Sequence, residues 1–157
     1  YKSVARGNIV WALNTLRHIR YLFEDARPSI FEIGPGAGYL GAMLILESYP
    51  YAATDVTQSL YLYQNHLWNH VSKANVVELA RDSASDVCFP APARGEAVHI
   101  PWWKFARLKP GQVPQLDVVT CNNCLGEMHL TSLGFTLNIA RQFSGDSEGP
   151  TFVFSET

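Results

Sequence analysis

The amino-terminal part of the chain carries apolar side chains at helical spacing. One face of a helix is outlined by residues that recur every three or four positions, namely Ile9, Leu13, Leu16, Ile19 and Phe23. This spacing predicts a helix over residues 8–25, and Pro28 begins the next element. We therefore assign residues 1–27 to an amino-terminal helical segment.

Short β-prone runs follow, and helical segments separate them. The runs predicted as strands are SIFEI (29–33), YAATD (51–55), AVHI (97–100, stopped by Pro101), LDVVTC (116–121) and TFVFS (151–155). The predicted helices are the apolar residues 39–49, a segment outlined by Leu60, Tyr63, Leu67 and Val71, and one outlined by Leu130, Leu133, Leu137 and Ala140. Residues 76–80 fit either a strand or a helix, and residues 81–96 form a long loop without any period.

The alternation of strands and helices predicts a single α/β domain over residues 1–157, with a doubly wound, mostly parallel sheet and flanking helices. Ligands of such sheets lie over the carboxyl ends of the strands, where the strand order reverses. The candidate binding loops are therefore those after residues 33, 55, 100, 121 and 155.

Composition narrows the class of protein. Hydrophobic residues make up 47% and charged residues 17% of the 157 residues, as expected for a globular chain with a substantial core. The net charge of −2 and the scattered Lys and Arg residues argue against a nucleic-acid-binding surface. No apolar run is long enough to predict a membrane-spanning helix.

The cysteines predict a reduced, cytoplasmic protein without a metal. Three cysteines cannot all pair within one chain, and their spacing does not resemble a disulfide framework. The run CNNC contains Cys121 and Cys124, and Cys88 and His129 would complete a ligand set of no standard spacing. Buried cysteines that serve as small apolar side chains are the favoured interpretation.

The run FEIGPGAGYLG places a glycine-rich loop directly after the first predicted strand. Gly34, Gly36 and Gly38 form GxGxG, whereas Gly36, Gly38 and Gly41 form GxGxxG, the dinucleotide fingerprint. Counted from Gly34, the third fingerprint position is Tyr39; counted from Gly36, two residues separate the strand from the turn. Neither register fits a nicotinamide dinucleotide well.

Glu32 discriminates further between the two ligand classes. It lies near the end of the first predicted strand, two residues before Gly34. A carboxylate at that position would repel a pyrophosphate, and it would suit a ligand that carries an ammonium and a sulfonium.

Several motifs together resemble one enzyme superfamily. EIGPGAG resembles motif I, E/DxGxGxG, of the class I S-adenosylmethionine-dependent methyltransferases, and LDVVTCNNCLGEMH resembles their motif IV. Combined with DVTQSLYLYQNHL and IPWW, these motifs are similar to the sugar O-methyltransferases of bacterial polysaccharide clusters. The resemblance implies a Rossmann-like class I methyltransferase core, S-adenosyl-L-methionine as cofactor, and methyl transfer to a small-molecule or sugar hydroxyl.

The resemblance also implies roles for individual residues. Glu32 would hold the methionine end of the cofactor, Asp55 with Val56 beside it would receive the ribose hydroxyls, and Asn122 and Asn123 would bind the cofactor or orient the substrate. The backbone that approaches the carboxypropyl tail and ribose would come from Gly34, Pro35, Gly36 and Gly38. Where the family commonly has an acid or polar residue for the adenine amino group, Pro101 and Trp102 would offer an apolar wall instead.

Catalysis would require positioning of the acceptor and a base. Glu127 and His129 follow the fourth predicted strand, on the side where an acceptor would lie, and they are the candidates for a general base. The alternative for His129 is a helix-start residue that faces solvent. The alternative for Glu127 is a structural contact.

Other functions stay open at this point. An NAD(P)-dependent oxidoreductase is the first alternative, and a non-catalytic methyltransferase-like binding domain is the second. The run TFVFS would be an apolar edge strand if nothing paired with it. We therefore expect a core truncated after its fifth strand, with that edge covered by a missing carboxyl-terminal segment or by a second copy in a homo-oligomer.

Overall fold

The computed structural model describes residues 6–24, 26–73, 75–81, 88–109, 111–122, 124–144 and 150–155. The strands are β1 (Ile30–Ile33), β2 (Tyr51–Asp55), β3 (Val76–Glu78), β4 (Ala97–Pro101), β5 (Val118–Asn122) and β6 (Thr151–Ser155). The helices are α1 (Arg6–Phe23), α2 (Tyr39–Leu46), α3 (Gln58–Val71), α4 (Trp102–Phe105) and α5 (Leu130–Arg141).

The strands form one sheet in the order β3-β4-β2-β1-β5-β6. Every strand pair in it is parallel. The chain moves outward from β1 through β2 to one side, and later returns to β1 to place β5 on the other side. The strand order therefore reverses between β1 and β5, which confirms the predicted doubly wound sheet and sets the expected position of a ligand.

The two faces of the sheet bury two separate clusters of apolar side chains. Ile30, Tyr51 and Ala53 pack together with side chains of α1, α2 and α3. Phe31 and Ile33 point to the opposite face, where they pack with side chains of α4 and α5. This alternation along β1 and β2 is the period-two pattern of a strand that is covered on both faces.

Several predicted elements need correction. Residues 76–80, which fit either element type, form β3 followed by a short 3-10 turn, Leu79–Arg81. Pro101 is the last residue of β4 and does not lie outside it, because a proline at a strand end loses no internal hydrogen bond there. Helix α4 was not predicted from the sequence, since its four residues are too few to show a helical period.

Helix α3 exposes part of the apolar face that its sequence predicts. Tyr63 is 46% exposed, and the residues that face the sheet are Tyr61, Gln64, Asn65 and Trp68. Likewise Leu13 of α1 is exposed, although its spacing predicted a buried position. In α3 the prediction holds for Leu67 and Val71, which pack against the core, but not for Tyr63. Gln64 donates to Asp55 and to the Gly36 carbonyl, and Asn65 bonds to His99, which offsets part of the cost of burying these amides.

Strand β6 lies at one edge of the sheet and pairs with β5 alone within the described part of the chain. Phe154 on this strand is exposed, whereas Val153 is buried. That a carboxyl-terminal segment or a second copy of the chain covers the outer edge of β6 stays a prediction. Within the same described residues, no helix combines the length and the apolar character that crossing a lipid bilayer demands.

Candidate functional site

A cleft of about 230 Å³ opens over the carboxyl ends of β1 and β5, at the point where the strand order reverses. The predicted site residues that line it are Glu32, Gly34, Pro35, Gly36 and Asn122. Helix α1 adds Asn8, Trp11 and Ala12, and α2 adds Tyr39 and Leu40. The structure therefore brings together the predicted residues of β1, the glycine loop and β5.

The loop between β1 and α2 follows the GxGxG register. Gly34, Gly36 and Gly38 all have positive φ angles, of 65°, 54° and 70°, a backbone conformation that residues with a Cβ rarely adopt. Gly41 does not share this conformation and lies within α2. The fourth glycine of the run is therefore not part of the loop.

Two side chains of α3 hold the glycine loop in place. The amide nitrogen of Gln64 donates a hydrogen bond to the carbonyl oxygen of Gly36 at 2.7 Å, and the indole nitrogen of Trp68 donates to that of Gly38 at 2.9 Å. A Cβ added to Gly38 would lie 3.1 Å from that indole nitrogen. The loop thus needs glycine at position 38 both for its φ angle and for its contact with α3.

Asp55, the last residue of β2, is buried and belongs to the same hydrogen-bond network. Its Oδ2 accepts a hydrogen bond from the amide nitrogen of Gln64 at 2.7 Å, and its Oδ1 accepts one from the backbone N–H of Thr57 at 2.8 Å. Gln64 therefore links Asp55 to the carbonyl oxygen of Gly36. Asp55 does not line the cleft itself.

Glu32 is a buried carboxyl group at the base of the cleft, with only 2% of its surface exposed. Burial, with added repulsion from Asp55, raises its pKa from 4.5 to about 7, although hydrogen bonds from Tyr51 and Asn122 oppose the rise. The hydroxyl of Tyr51 donates to Oε2 of Glu32 at 2.6 Å. A cationic ligand group in the cleft would favour the ionised carboxylate.

Asn122, at the end of β5, connects this carboxylate to the amino-terminal helix. Its side-chain oxygen accepts a hydrogen bond from the hydroxyl of Thr15 at 3.1 Å. Helix α1 is thereby fixed against the cleft that Asn8 and Trp11 help to line. The other predicted asparagine, Asn123, lies outside the described residues.

The predicted adenine-binding residues, Pro101 and Trp102, and Val56, predicted beside the ribose-binding Asp55, lie near neighbouring strand ends and do not line the cleft. Pro101 is opposite Asp55 in the register of β2 and β4. Val56 is 70% exposed. Trp102 is half-buried and packs against Phe105, with ring centroids 5.6 Å apart. These positions agree with one shared ligand-binding edge, and their contact with a cofactor stays a prediction.

The two candidate bases are both exposed and do not line the cleft. His129 caps the amino terminus of α5, where its Nδ1 accepts a hydrogen bond from the backbone N–H of Thr131 at 3.3 Å. Glu127 lies in the turn just before it. His129 thus has a structural role as a helix cap through Nδ1, and its Nε2 takes no part in that hydrogen bond.

The cysteine prediction needs correction. Cys121 and Cys124 form a disulfide bond, with their Cα atoms 6.3 Å apart, and so do not serve as apolar thiols. The turn that ends β5 brings the two residues together. Cys88 is free and exposed. This pairing removes the cysteine-based argument for a reducing compartment.

The disulfide also borders the glycine loop. Sγ of Cys124 lies 3.2 Å from the carbonyl oxygen of Ile33. A Cβ added to Gly34 would lie 3.0 Å from both Cβ and Sγ of Cys124. Position 34 therefore requires glycine because of its contact with Cys124, just after β5, as well as because of its φ angle. Across the described ranges, no three side chains of the metal-binding types come together.

The sequence analysis missed the buried residues that hydrogen-bond to the residues of the site. Tyr51, Gln64 and Trp68 are buried and bond to Glu32 or to the glycine loop. Their signal in the sequence is a helix that carries an amide and an indole four residues apart, at i and i+4, which share one helix face. That signal does not reveal which loop they contact.

No protein-family model matches the chain, and neither does any curated protein sequence. Solved structures do match, including the glycopeptide N-methyltransferase MtfA complexed with sinefungin (TM-score 0.60, 11% identity, 91% of this chain and 52% of that one). Another is magnesium protoporphyrin IX methyltransferase (ChlM) from Synechocystis PCC 6803 with bound SAM (TM-score 0.59, 12% identity, 88% of this chain and 55% of that one). A third is the CcbJ methyltransferase from Streptomyces caelestis (TM-score 0.55, 16% identity, 94% of this chain and 47% of that one).

These comparisons identify the fold. The chain has the Rossmann-like architecture of class I methyltransferases, as the motifs predicted, and it spans about half the length of the structures that it matches.

Proposed function

We propose that this chain binds S-adenosyl-L-methionine and forms the cofactor-binding part of a methyltransferase that acts on a small-molecule or sugar hydroxyl. The observation that carries the proposal is the buried carboxyl group of Glu32 at the base of a cleft bordered by Gly34 and Gly36. The matched structures with bound SAM or sinefungin add support from the fold.

The residues present fit this cofactor chemically. Glu32 offers a negative charge to the ammonium or sulfonium of the methionine end, in a site where burial strengthens the attraction. The glycine loop offers close approach to its backbone, and Asp55 offers acceptor oxygens at the end of the neighbouring strand. The same carboxylate would repel the pyrophosphate of NAD, so the oxidoreductase alternative is less favoured.

The cofactor supplies an electrophilic methyl group to an acceptor oxygen. The chain's contribution is to hold the two reactants in line and to exclude water. A sugar hydroxyl must lose its proton as it attacks, and Glu127 or His129 would receive that proton if the acceptor lies over the turn after β5. Trp11 of α1 would form one wall of the cleft.

Calorimetric titration with S-adenosylhomocysteine and with NAD tests the proposal. We expect the chain to bind S-adenosylhomocysteine and not NAD, and Glu32→Gln to weaken that binding about tenfold or more, because hydrogen bonds to charged groups contribute about 1.5 to 3 kcal/mol. Glu47→Gln, which changes a surface carboxylate bonded to Arg20, is the matched control and should bind normally. Tight NAD binding without any response to S-adenosylhomocysteine would overturn the proposal.

Methyl transfer itself is tested by turnover. With the methyl label of S-adenosylmethionine followed into a panel of sugars and small alcohols, Glu127→Gln and His129→Gln should lower kcat while the dissociation constant for S-adenosylhomocysteine stays unchanged. Binding without turnover on any acceptor would favour the non-catalytic alternative.

A further inference from the structure

Tyr51 is the side chain that contacts Glu32 from the neighbouring strand. In the register of the sheet Glu32 is opposite Ala53, so Tyr51, two residues earlier on β2, lies on the same face as Glu32. Its hydroxyl donates a 2.6 Å hydrogen bond to Oε2 of Glu32. Both side chains are buried, so water does not compete for this bond.

The ring of Tyr51 is held on two sides. A Cβ added to Gly41 would lie 2.7 Å from two ring carbons of Tyr51, Cε1 and Cζ, and from its hydroxyl oxygen, so the phenol lies directly against the backbone of α2. The indole of Trp68 meets the ring edge-on, with centroids 5.2 Å apart and an angle of 87° between the planes. The phenol therefore has little freedom to aim its hydroxyl anywhere except at Glu32.

This packing explains the fourth glycine of the run FEIGPGAGYLG. Gly41 has no positive φ angle and is not in the loop. Its lack of a side chain makes the room that the Tyr51 ring occupies. Gly41, which resembles the third glycine of a dinucleotide fingerprint, thus makes room for the tyrosine that bonds to Glu32.

We propose that Tyr51, seated against Gly41, is a positioning residue that orients the Glu32 carboxylate toward the cleft and stabilises its ionised form for a cationic ligand group. This inference rests on the proposed function, since the ligand group is taken to be the ammonium or sulfonium of S-adenosylmethionine. Tyr51 does not line the cleft and acts only through Glu32.

Among the groups that face Glu32, Tyr51 lowers the pKa of its carboxyl group the most. Burial and the charge of Asp55 raise the pKa of Glu32, whereas the hydrogen bond from Tyr51 lowers it, and so does a weaker one from Asn122 of β5. Helix α1 presents Asn8, Trp11 and Ala12 to the cleft, none of which titrates, and α2 presents Tyr39. Loss of the Tyr51 hydroxyl should therefore shift the titration of Glu32 upward.

The test compares Tyr51→Phe with the unaltered chain by calorimetry with S-adenosylhomocysteine from pH 5.5 to pH 9. For the unaltered chain we expect affinity to rise with pH through a midpoint near 7, as Glu32 ionises. For Tyr51→Phe the midpoint should move up, and affinity at pH 7 should fall about tenfold. Gly41→Ala, which displaces the ring, should reproduce the shift, and the double variant should show no further shift.

Tyr61→Phe is the matched control. Tyr61 is a buried tyrosine of α3 whose hydroxyl donates to the carbonyl oxygen of His99 at 3.1 Å and does not contact Glu32. Its loss should lower stability but leave the midpoint in place. An unchanged midpoint and affinity in Tyr51→Phe would overturn the inference.

A second measurement separates this inference from the proposed function. The Glu32 side-chain carboxyl is titrated by carbon-13 NMR without ligand, with its signal assigned from Glu32→Gln. A higher titration midpoint in Tyr51→Phe supports control of the Glu32 charge by Tyr51, and an identical midpoint overturns it. Failure of the unaltered chain to bind S-adenosylhomocysteine would instead overturn the proposed function, whatever the NMR result.

Discussion

At the scale of single residues, the two acids at the carboxyl edge of the sheet, Glu32 and Asp55, differ in their position relative to the cleft. Glu32 lines the cleft, whereas Asp55 does not line it and has both of its oxygens bonded to the protein. Each carboxylate oxygen accepts more than one hydrogen bond, so Asp55 keeps acceptor capacity for a ribose. Its predicted role therefore remains compatible with its burial.

Replacing Asp55 by asparagine tests that role. The variant keeps the size of the side chain and removes the charge, so we expect S-adenosylhomocysteine to bind about tenfold more weakly while the chain remains folded. Calorimetry and circular dichroism measure the two effects. Asp117→Asn is the control, because Asp117 is at the opposite end of the sheet and accepts from the backbone N–H and hydroxyl of Ser29. Equal affinity in the Asp55 variant and the unaltered chain would show that Asp55 does not reach the ligand.

Gly38 is the loop position with the strictest requirement. Its φ angle of 70° and the 3.1 Å approach of the Trp68 indole both disfavour a side chain. Gly38→Ala should lower the free energy of unfolding by about 1 to 3 kcal/mol, as measured by urea denaturation. Gly134→Ala is the control in α5, where nothing lies within 4 Å of an added Cβ, and it should raise stability by up to about 1 kcal/mol. Equal effects of the two substitutions would contradict this account.

At the scale of secondary-structure elements, α3 acts as a clamp. Its buried face carries Gln64, Asn65 and Trp68 and bonds to two glycine carbonyls, to Asp55 and to His99. Burial lowers the pKa of His99 to about 3, so this histidine is neutral, and its Nδ1 donates a hydrogen bond to the side-chain oxygen of Asn65 at 2.8 Å. The helix therefore couples the glycine loop to the ends of β2 and β4.

Gln64→Met tests the clamp. The substitution keeps the volume of the side chain but removes the donor that joins Asp55 to the Gly36 carbonyl. We expect a loss of stability of about 1 to 3 kcal/mol and weaker binding of S-adenosylhomocysteine, because Asp55 and the loop lose their common partner. Asn69→Ala on the same helix removes an amide that donates to the Asn65 carbonyl oxygen, and this variant should leave binding unchanged. If both variants bind alike, α3 has no part in organising the site.

At the scale of the whole molecule, the buried titratable groups make stability depend on pH. Glu32 has a pKa of about 7 when folded and 4.5 ordinarily, so the folded state holds its proton more tightly. Its contribution therefore weakens stability as pH rises from about 4.5 to about 7, and changes little above that. His99 acts in the opposite direction, since its neutral form is favoured and stability is lost as pH falls from 6.5 toward 3.

Glu32→Gln isolates the carboxyl contribution. The free energy of unfolding of the variant minus that of the unaltered chain should rise by roughly 3 kcal/mol between pH 4.5 and pH 7.5, since one pKa unit corresponds to about 1.4 kcal/mol. The effect of His99 cancels in this difference. Urea denaturation at several pH values gives the curve. A difference that does not vary with pH would mean that the Glu32 carboxyl titrates normally in the folded chain.

The sequence by itself determined the order of most elements, the glycine loop and the acids at the ends of β1 and β2. These features depend on local properties: strand and helix periodicity, and the glycines required where φ is positive. Strand YAATD and strand TFVFS match β2 and β6 at both ends. Glu32 and Asp55 were recognisable because strand ends in an alternating α/β chain meet at one edge of the sheet.

Only the tertiary structure decided what surrounds those residues. The hydroxyl of Tyr51 reaches Glu32, and the amide of Gln64 reaches Asp55, across strand and helix contacts that no local pattern encodes. Hydrophobic periodicity assigns amides to solvent, whereas Gln64 and Asn65 are buried and bond to the Gly36 carbonyl and to His99 through contacts that only the packed fold makes. The Cys121–Cys124 bond and the role of Gly41 were hidden for the same reason: each depends on a close approach in space.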